Sequence, residues 1–132
     1  MTKAERFEDL IAWQKARELT RAIYEVTTQG GLARDLGLAG QLRRAAVSAM
    51  SNVAEGFDRD GMAEFHRFLT IAKASCGETR SLLYVALDVG YIDDATFDRL
   101  KDRTDEAARV INGLRTAVAR RRDQQRSGPS RT

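Results

Sequence analysis

One proline, Pro129, stands in this chain of 132 residues, and it is the fourth residue from the end. An all-β domain needs turn-formers between its strands, whereas helix interiors exclude proline because its ring clashes with the preceding turn. A body without a single proline therefore points to long helices. The apolar residues agree with this. From about Glu5 to Thr28, residues Leu10, Trp13, Ala16, Leu19, Ile23 and Val26 recur at spacings of three and four. That spacing draws one stripe down a helix, and Gly30-Gly31 ends it.

A second helix is predicted from about Leu38 to Phe57, with Leu42, Ala46, Ala49, Val53 and Phe57 on its apolar line. A third is predicted over Met62 to Val89, on the stripe Phe65, Leu69, Ala72, Cys76, Thr79, Leu83 and Ala86. Asp60 or Gly61 opens it and Gly90 closes it. Asp93 or Asp94 then caps a fourth helix, whose stripe runs Phe97, Leu100, Thr104, Ala107, Ile111, Leu114, Val118. Alternating threes and fours are the seam of a helix bundle, and short connections make consecutive helices antiparallel neighbours. The predicted fold is all-α, an up-and-down four-helix bundle over residues 1–122. Arginine, glutamine, serine, glycine and proline follow, so residues 123–132 are expected to be a disordered tail.

Charge divides the chain at the same place. Residues 119–132 hold five arginines and one aspartate, while residues 1–118 hold 17 Lys and Arg against 18 Asp and Glu. The high isoelectric point thus belongs to the end of the chain. Arg120, Arg121, Arg122 and Arg126 are the candidate nucleic-acid contacts, with Arg43 the first candidate on the body. Each guanidinium can hold phosphate bidentately. No aromatic residue interleaves the terminal arginines, so contact there would be electrostatic and tolerant of sequence. A solubilising tail is the competing explanation.

Other chemistry finds little support. Cys76 is the only cysteine and His66 the only histidine. One cysteine allows no internal disulfide, which fits a reducing compartment. Glu64 and His66 are two residues apart and point about 200° away from each other, unlike the Glu-x-x-His pairs of di-iron bundles. His66 fits a surface or interface position. Cys76 lies on the apolar stripe, about 15 Å along the helix from His66, and fits a small buried hydrophobe. No phosphate-binding glycine loop is present. Neither catalysis nor a metal or cofactor is expected. The opening MTKAERFEDLIAW is acidic where a signal peptide is apolar, and no apolar run approaches the roughly 18 residues of a membrane span. A cytoplasmic protein without membrane contact is expected.

The second helix is unusual. Arg44, Ser48, Asn52 and Glu55 share one face, among many small residues. Serine and asparagine are poorer helix formers than the lysine and glutamate a solvated face would carry. This line suits a hydrogen-bonded network inside the bundle or at a subunit contact, with Arg44 pairing a neighbour's Glu55 or Glu78. A solvated face or a ligand site are the other readings. Trp13, the small-residue helix and this polar line together offer more adhesive surface than one bundle buries, so a homo-oligomer is expected.

The segments WQKARELTRAIYEVT (13–27), QLRRAAVSAMSNVAEGF (41–57) and EFHRFLTIAKAS (64–75) together resemble one bacterial family. It is the four-helix bundle family named for proteins encoded in intervening sequences of 23S ribosomal RNA genes. Its pattern in the second helix is met by Leu42, Arg43, Arg44, Ala45, Ser48 and the run Asn52-Val53-Ala54-Glu55-Gly56. The third helix departs from it, with Ala74-Ser75-Cys76-Gly77-Glu78 in place of Gly-Ser-Leu and an acidic, leucine-rich turn. The resemblance implies a homo-oligomeric ring, a homopentamer. It also implies kinship in architecture with accessory proteins of diversity-generating retroelements, which bind nucleic acid and a reverse transcriptase. The expected function is therefore non-catalytic binding of RNA, DNA or a ribonucleoprotein partner; the alternative is a purely structural or protein-binding oligomer.

Overall fold

A computed structural model describes residues 3–126. Among them are one 3-10 turn, Phe7–Asp9, and five α-helices: α1 (Ile11–Thr27), α2 (Gly30–Arg34), α3 (Leu36–Asp58), α4 (Met62–Asp88) and α5 (Asp94–Arg126). The described residues contain no strand. The four long helices form a bundle, and α2 is a single turn in the connection between α1 and α3.

Side-chain contacts fix the direction of each pair. Thr20 Oγ1 donates to the Ala46 carbonyl (3.1 Å) and Arg43 Nε donates to Thr27 Oγ1 (2.8 Å), so α1 and α3 run antiparallel. Ser48 meets Ser75, and Gly56 meets Phe65 and Phe68, which sets α3 against α4. Arg115 Nε donates to Thr70 Oγ1 (2.9 Å) and Arg80 pairs with Asp105 (3.5 Å), which sets α4 against α5. Lys15 with Glu106 and Arg103 with Glu18 close the circle between α5 and α1. Leu19, Ile23, Leu42, Val53, Leu69, Leu83, Leu100 and Ile111 are fully buried between the four helices. The threonines on the stripes, Thr79 and Thr104, are buried because each hydroxyl donates to the carbonyl one turn earlier, at 2.9 and 2.7 Å.

Two boundaries differ from the sequence reading. The first helix starts at Ile11 and not near Glu5, because the Asp9 carboxylate accepts the Glu5 and Arg6 amide protons and Leu10 is extended. Phe7 then folds over Trp13, with ring centroids 5.3 Å apart, and Arg17 lies over the same indole. Trp13 is thus half-buried by its own chain. The last helix continues through Arg126, so residues 123–126 are helical and not a disordered tail. The chain from Leu114 to Arg126 contains no glycine or proline and is rich in alanine, arginine and glutamine, all strong helix formers. Propensity carries the helix past the last apolar position, Val118. Residues 127–132, including Arg131, lie outside the described residues.

α3 and α4 pack closely at Gly56. A Cβ added at Gly56 would stand 2.7 Å from Phe68 Cβ and 3.1 Å from the Phe65 ring. At Gly113, on α5, an added Cβ would meet nothing within 4 Å. Alanine normally stabilises a helix relative to glycine. Gly113→Ala should therefore stabilise by about 0.5–1 kcal/mol, while Gly56→Ala should destabilise by about 1–3 kcal/mol through overpacking. Urea melts of the two variants check both signs, and a stabilised Gly56→Ala would show that α3 and α4 are not in close contact there.

Candidate nucleic-acid interface

Extension of the last helix converts the arginine cluster from a loose tail into an ordered surface. Arg120, Arg121 and Arg126 are exposed, and Arg122 is half-buried with Nε 3.4 Å from Asp123. At 100° per residue, Arg122 and Arg126 share a face with Arg115, while Arg120 and Arg121 project to either side. Cations in the last turns also complement the negative end of the helix dipole.

The inner face of this cluster meets α4. Thr70–Arg115 and Arg80–Asp105 share one register, which carries His66 level with Ala119, between Arg115 and Arg122. Arg115 is held on both sides, donating from Nε to Thr70 and from Nη1 to Asn112 Oδ1 (3.3 Å). His66 is half-buried, and burial first, then Arg115 and Arg122, hold its imidazole below the ordinary histidine value, while Asp123 opposes them. Lys73, exposed, stands two turns along from His66 on the same side of α4. Sequence reasoning missed Arg115 and Lys73 because it counted charge only beyond Val118. The spacing Arg115, Arg122, Arg126, seven and then four residues, was the available signal.

Arg43 is placed elsewhere. It is half-buried, its Nε bound to Thr27 and its guanidinium 4.7 Å over the Tyr24 ring. It lies near the opposite end of the bundle, about 25 Å along the axis from Arg122 by helix rise. The structure does not bring Arg43 together with Arg120, Arg121, Arg122 and Arg126.

The polar line on α3 divides. Asn52 Nδ2 donates to Ser48 Oγ (3.0 Å), Ser48 and Ser75 hydroxyls are 2.7 Å apart, and Ser75 donates to the Ile71 carbonyl (3.1 Å). These three side chains form a directed chain of hydrogen bonds inside the bundle, across α3 and α4. The two ends of the line do not join it. Within the chain Glu55 pairs with Arg59 one turn on (2.9 Å). Arg44 is exposed against Gly40, and among the described residues neither it nor Glu78 forms an ion pair. With Tyr24, Arg43 and Val47, Arg44 and Ser48 line a shallow hollow.

Cys76 is 1% exposed, and burial pushes its thiol up to about 11, so it is a neutral core group at physiological pH. Among the described residues no three His, Cys, Asp or Glu side chains group as metal ligands, and no described helix is long and apolar enough to cross a membrane.

Comparison with known proteins places this bundle. The family model described as 23S rRNA-intervening sequence protein matches residues 8–113. The chain belongs to that family. A solved structure of a protein of unknown function from the S23 ribosomal protein family of Bacteroides thetaiotaomicron superposes with a TM-score of 0.74, at 18% identity, over 80% of this chain and 96% of that one. It shows the shared fold. No curated protein matches the chain. The matched span of the 23S rRNA-intervening sequence protein family holds the polar network, His66, Thr70, Lys73 and Asn112. Arg115 and the arginines from 120 to 126 lie beyond it.

Proposed function

We propose that this protein is a non-catalytic RNA-binding bundle that grips phosphates with the arginines at the end of α5. One observation carries the reading: four arginines, Arg120, Arg121, Arg122 and Arg126, stand on an ordered helix at the end of a chain whose remaining charge is close to balanced. Order matters because a helix presents its guanidinia without the entropy a loose tail loses on contact. The family name ties these proteins to 23S rRNA genes, which makes RNA the polyanion to test before DNA. No aromatic residue lies between Leu114 and Arg126, so the contact is electrostatic and weakly sequence-specific.

A ring of copies fits the same reading. Ile71 and Val85 on α4 and Val89 just past its end lie on one side and are 38%, 45% and 56% exposed, and Leu36, at the start of α3, is 80% exposed. A row of this kind is surface that a second copy can cover. A pentamer would gather five arginine-bearing helix ends and raise the local positive charge accordingly.

Replacing Arg120, Arg121, Arg122 and Arg126 together by glutamine keeps helix propensity and removes the charge. Wild type should bind single-stranded RNA with log K falling against log salt at a slope of about −3. The fourfold variant should lose most of that affinity and most of the slope, with circular dichroism unchanged. Equal binding by both proteins would refute the assignment; absence of wild-type binding at 50 mM salt would favour a purely structural or protein-binding oligomer. Light scattering tests the ring separately. The expected mass is five copies of the 14.7 kDa chain, falling on Val85→Glu with Val89→Glu, and a wild-type mass of 14.7 kDa contradicts assembly.

A further inference from the structure

Two helices build a basic groove that the terminal arginines alone do not explain. One wall is the α4 row His66, Thr70, Lys73, spaced four and three residues apart, and the other is the α5 row Asn112, Arg115, Arg122. The walls are joined by the Arg115–Thr70 hydrogen bond. Arg115 spends Nε on Thr70 and one Nη1 proton on Asn112, which fixes its planar head and leaves its remaining N–H groups without a protein acceptor among the described residues. From the level of Asn112 to Arg126 the track is about 21 Å long and ends in the terminal arginines.

We propose that this α4–α5 groove is an RNA phosphate track in which His66 acts as a proton-linked contact, so that RNA binds more tightly in mildly acidic solution. The proposal rests on the RNA-binding reading above and deepens it, extending the site onto the body. A phosphate lying between Arg115 and Arg122 comes level with His66, which in its charged form offers N–H donors and a positive charge to the oxygens. The charges that act on the imidazole come from α5: Arg115 and Arg122 disfavour the proton, and Asp123 favours it. On α4, Glu64 is paired to Arg67 (3.1 Å), and Lys73 adds positive charge two turns away. Glu55 on α3 pairs with Arg59 just past the helix end, and neither is among the charges that act on His66. In the free protein burial and two arginines therefore disfavour the proton on His66. A bound phosphate neutralises those arginines, and the proton then returns. Linkage is reciprocal: if RNA raises the affinity of His66 for a proton, a proton raises the affinity for RNA by the same factor.

The test uses the full chain and a fluorescein-labelled 20-nucleotide uridine RNA at fixed ionic strength. Wild type should bind about fivefold more tightly at pH 5.5 than at pH 7.5, since each unit of pKa rise on binding is worth tenfold. His66 is the only histidine, so its proton can be followed directly by NMR. Its pKa should rise on saturation with the RNA, and His66→Gln should bring the pH 5.5 to pH 7.5 affinity ratio close to one. Arg115→Gln should weaken binding about five- to tenfold and reduce the salt slope by about one. Arg21→Gln removes the same charge from an exposed site on α1 and should change affinity less than twofold. Suppose the fourfold arginine variant loses binding while His66→Gln and Arg115→Gln behave as wild type. The groove inference then fails and the RNA reading stands. If wild type binds at neither pH in 50 mM salt, the RNA reading fails and takes the groove with it. An unchanged His66 pKa in saturating RNA overturns the proton linkage.

Discussion

The close approach of α3 to α4 sets the position of everything else in the bundle. Gly56 has no side chain because Phe65 and Phe68 occupy the space a Cβ would need. Further along, Ser48 and Ser75 touch through hydroxyls and pass the hydrogen bond on to the Ile71 carbonyl. Small residues bring the backbones together, and the serine–asparagine chain selects one register, since a slip would leave buried hydroxyls unpaired. No buried side-chain polar atom lacks a partner among the described residues. With α4 fixed on one side by α3, its other side presents His66, Thr70 and Lys73 to α5.

The second constraint is length. In the register that pairs Arg115 with Thr70, Met62 of α4 comes level with Asp123 of α5. α5 thus outlasts α4 by about a turn, and its last residues have no apolar work to do. Alanine, arginine and glutamine keep that segment helical, so positive charge is held at defined angles. Val118 is the last buried residue of the helix, and Arg122 and Arg126 follow on the face that Arg115 begins. Core, groove and arginine end are successive stretches of one helix.

Much of this was legible in the sequence. Most residues on the four stripes are buried because 3.6-residue periodicity is a direct image of burial, while Leu10, Trp13, Phe57 and Leu114 are half-buried. The glycines at 61 and 90 mark turns where positive φ is required, 89° and 80°. What the sequence did not show is what depends on neighbours. Helicity of residues 123–126 follows from propensity once Ala119 to Arg122 are already helical, which a count of charge and polarity overlooks. Arg43 reads as a free cation, but Thr27 and Tyr24 hold it because α1 delivers them from sixteen and nineteen residues away. His66 reads as a surface or interface residue without a named neighbour until α5 is laid beside it. Arg44 and Glu55 share a helical face, yet Glu55 is taken by Arg59 one turn on and Arg44 stays exposed.

The most direct measurement is the footprint of RNA on the backbone by hydrogen exchange. A single-stranded RNA added to the full-length protein in low salt should slow amide exchange in residues 112–126 of α5 and 62–73 of α4, and leave α3 around Arg43 unchanged. That pattern would place the bound phosphates in the groove and on the arginine-bearing end. Protection centred on Tyr24, Arg43 and Arg44, with none in the last three turns of α5, would contradict the account.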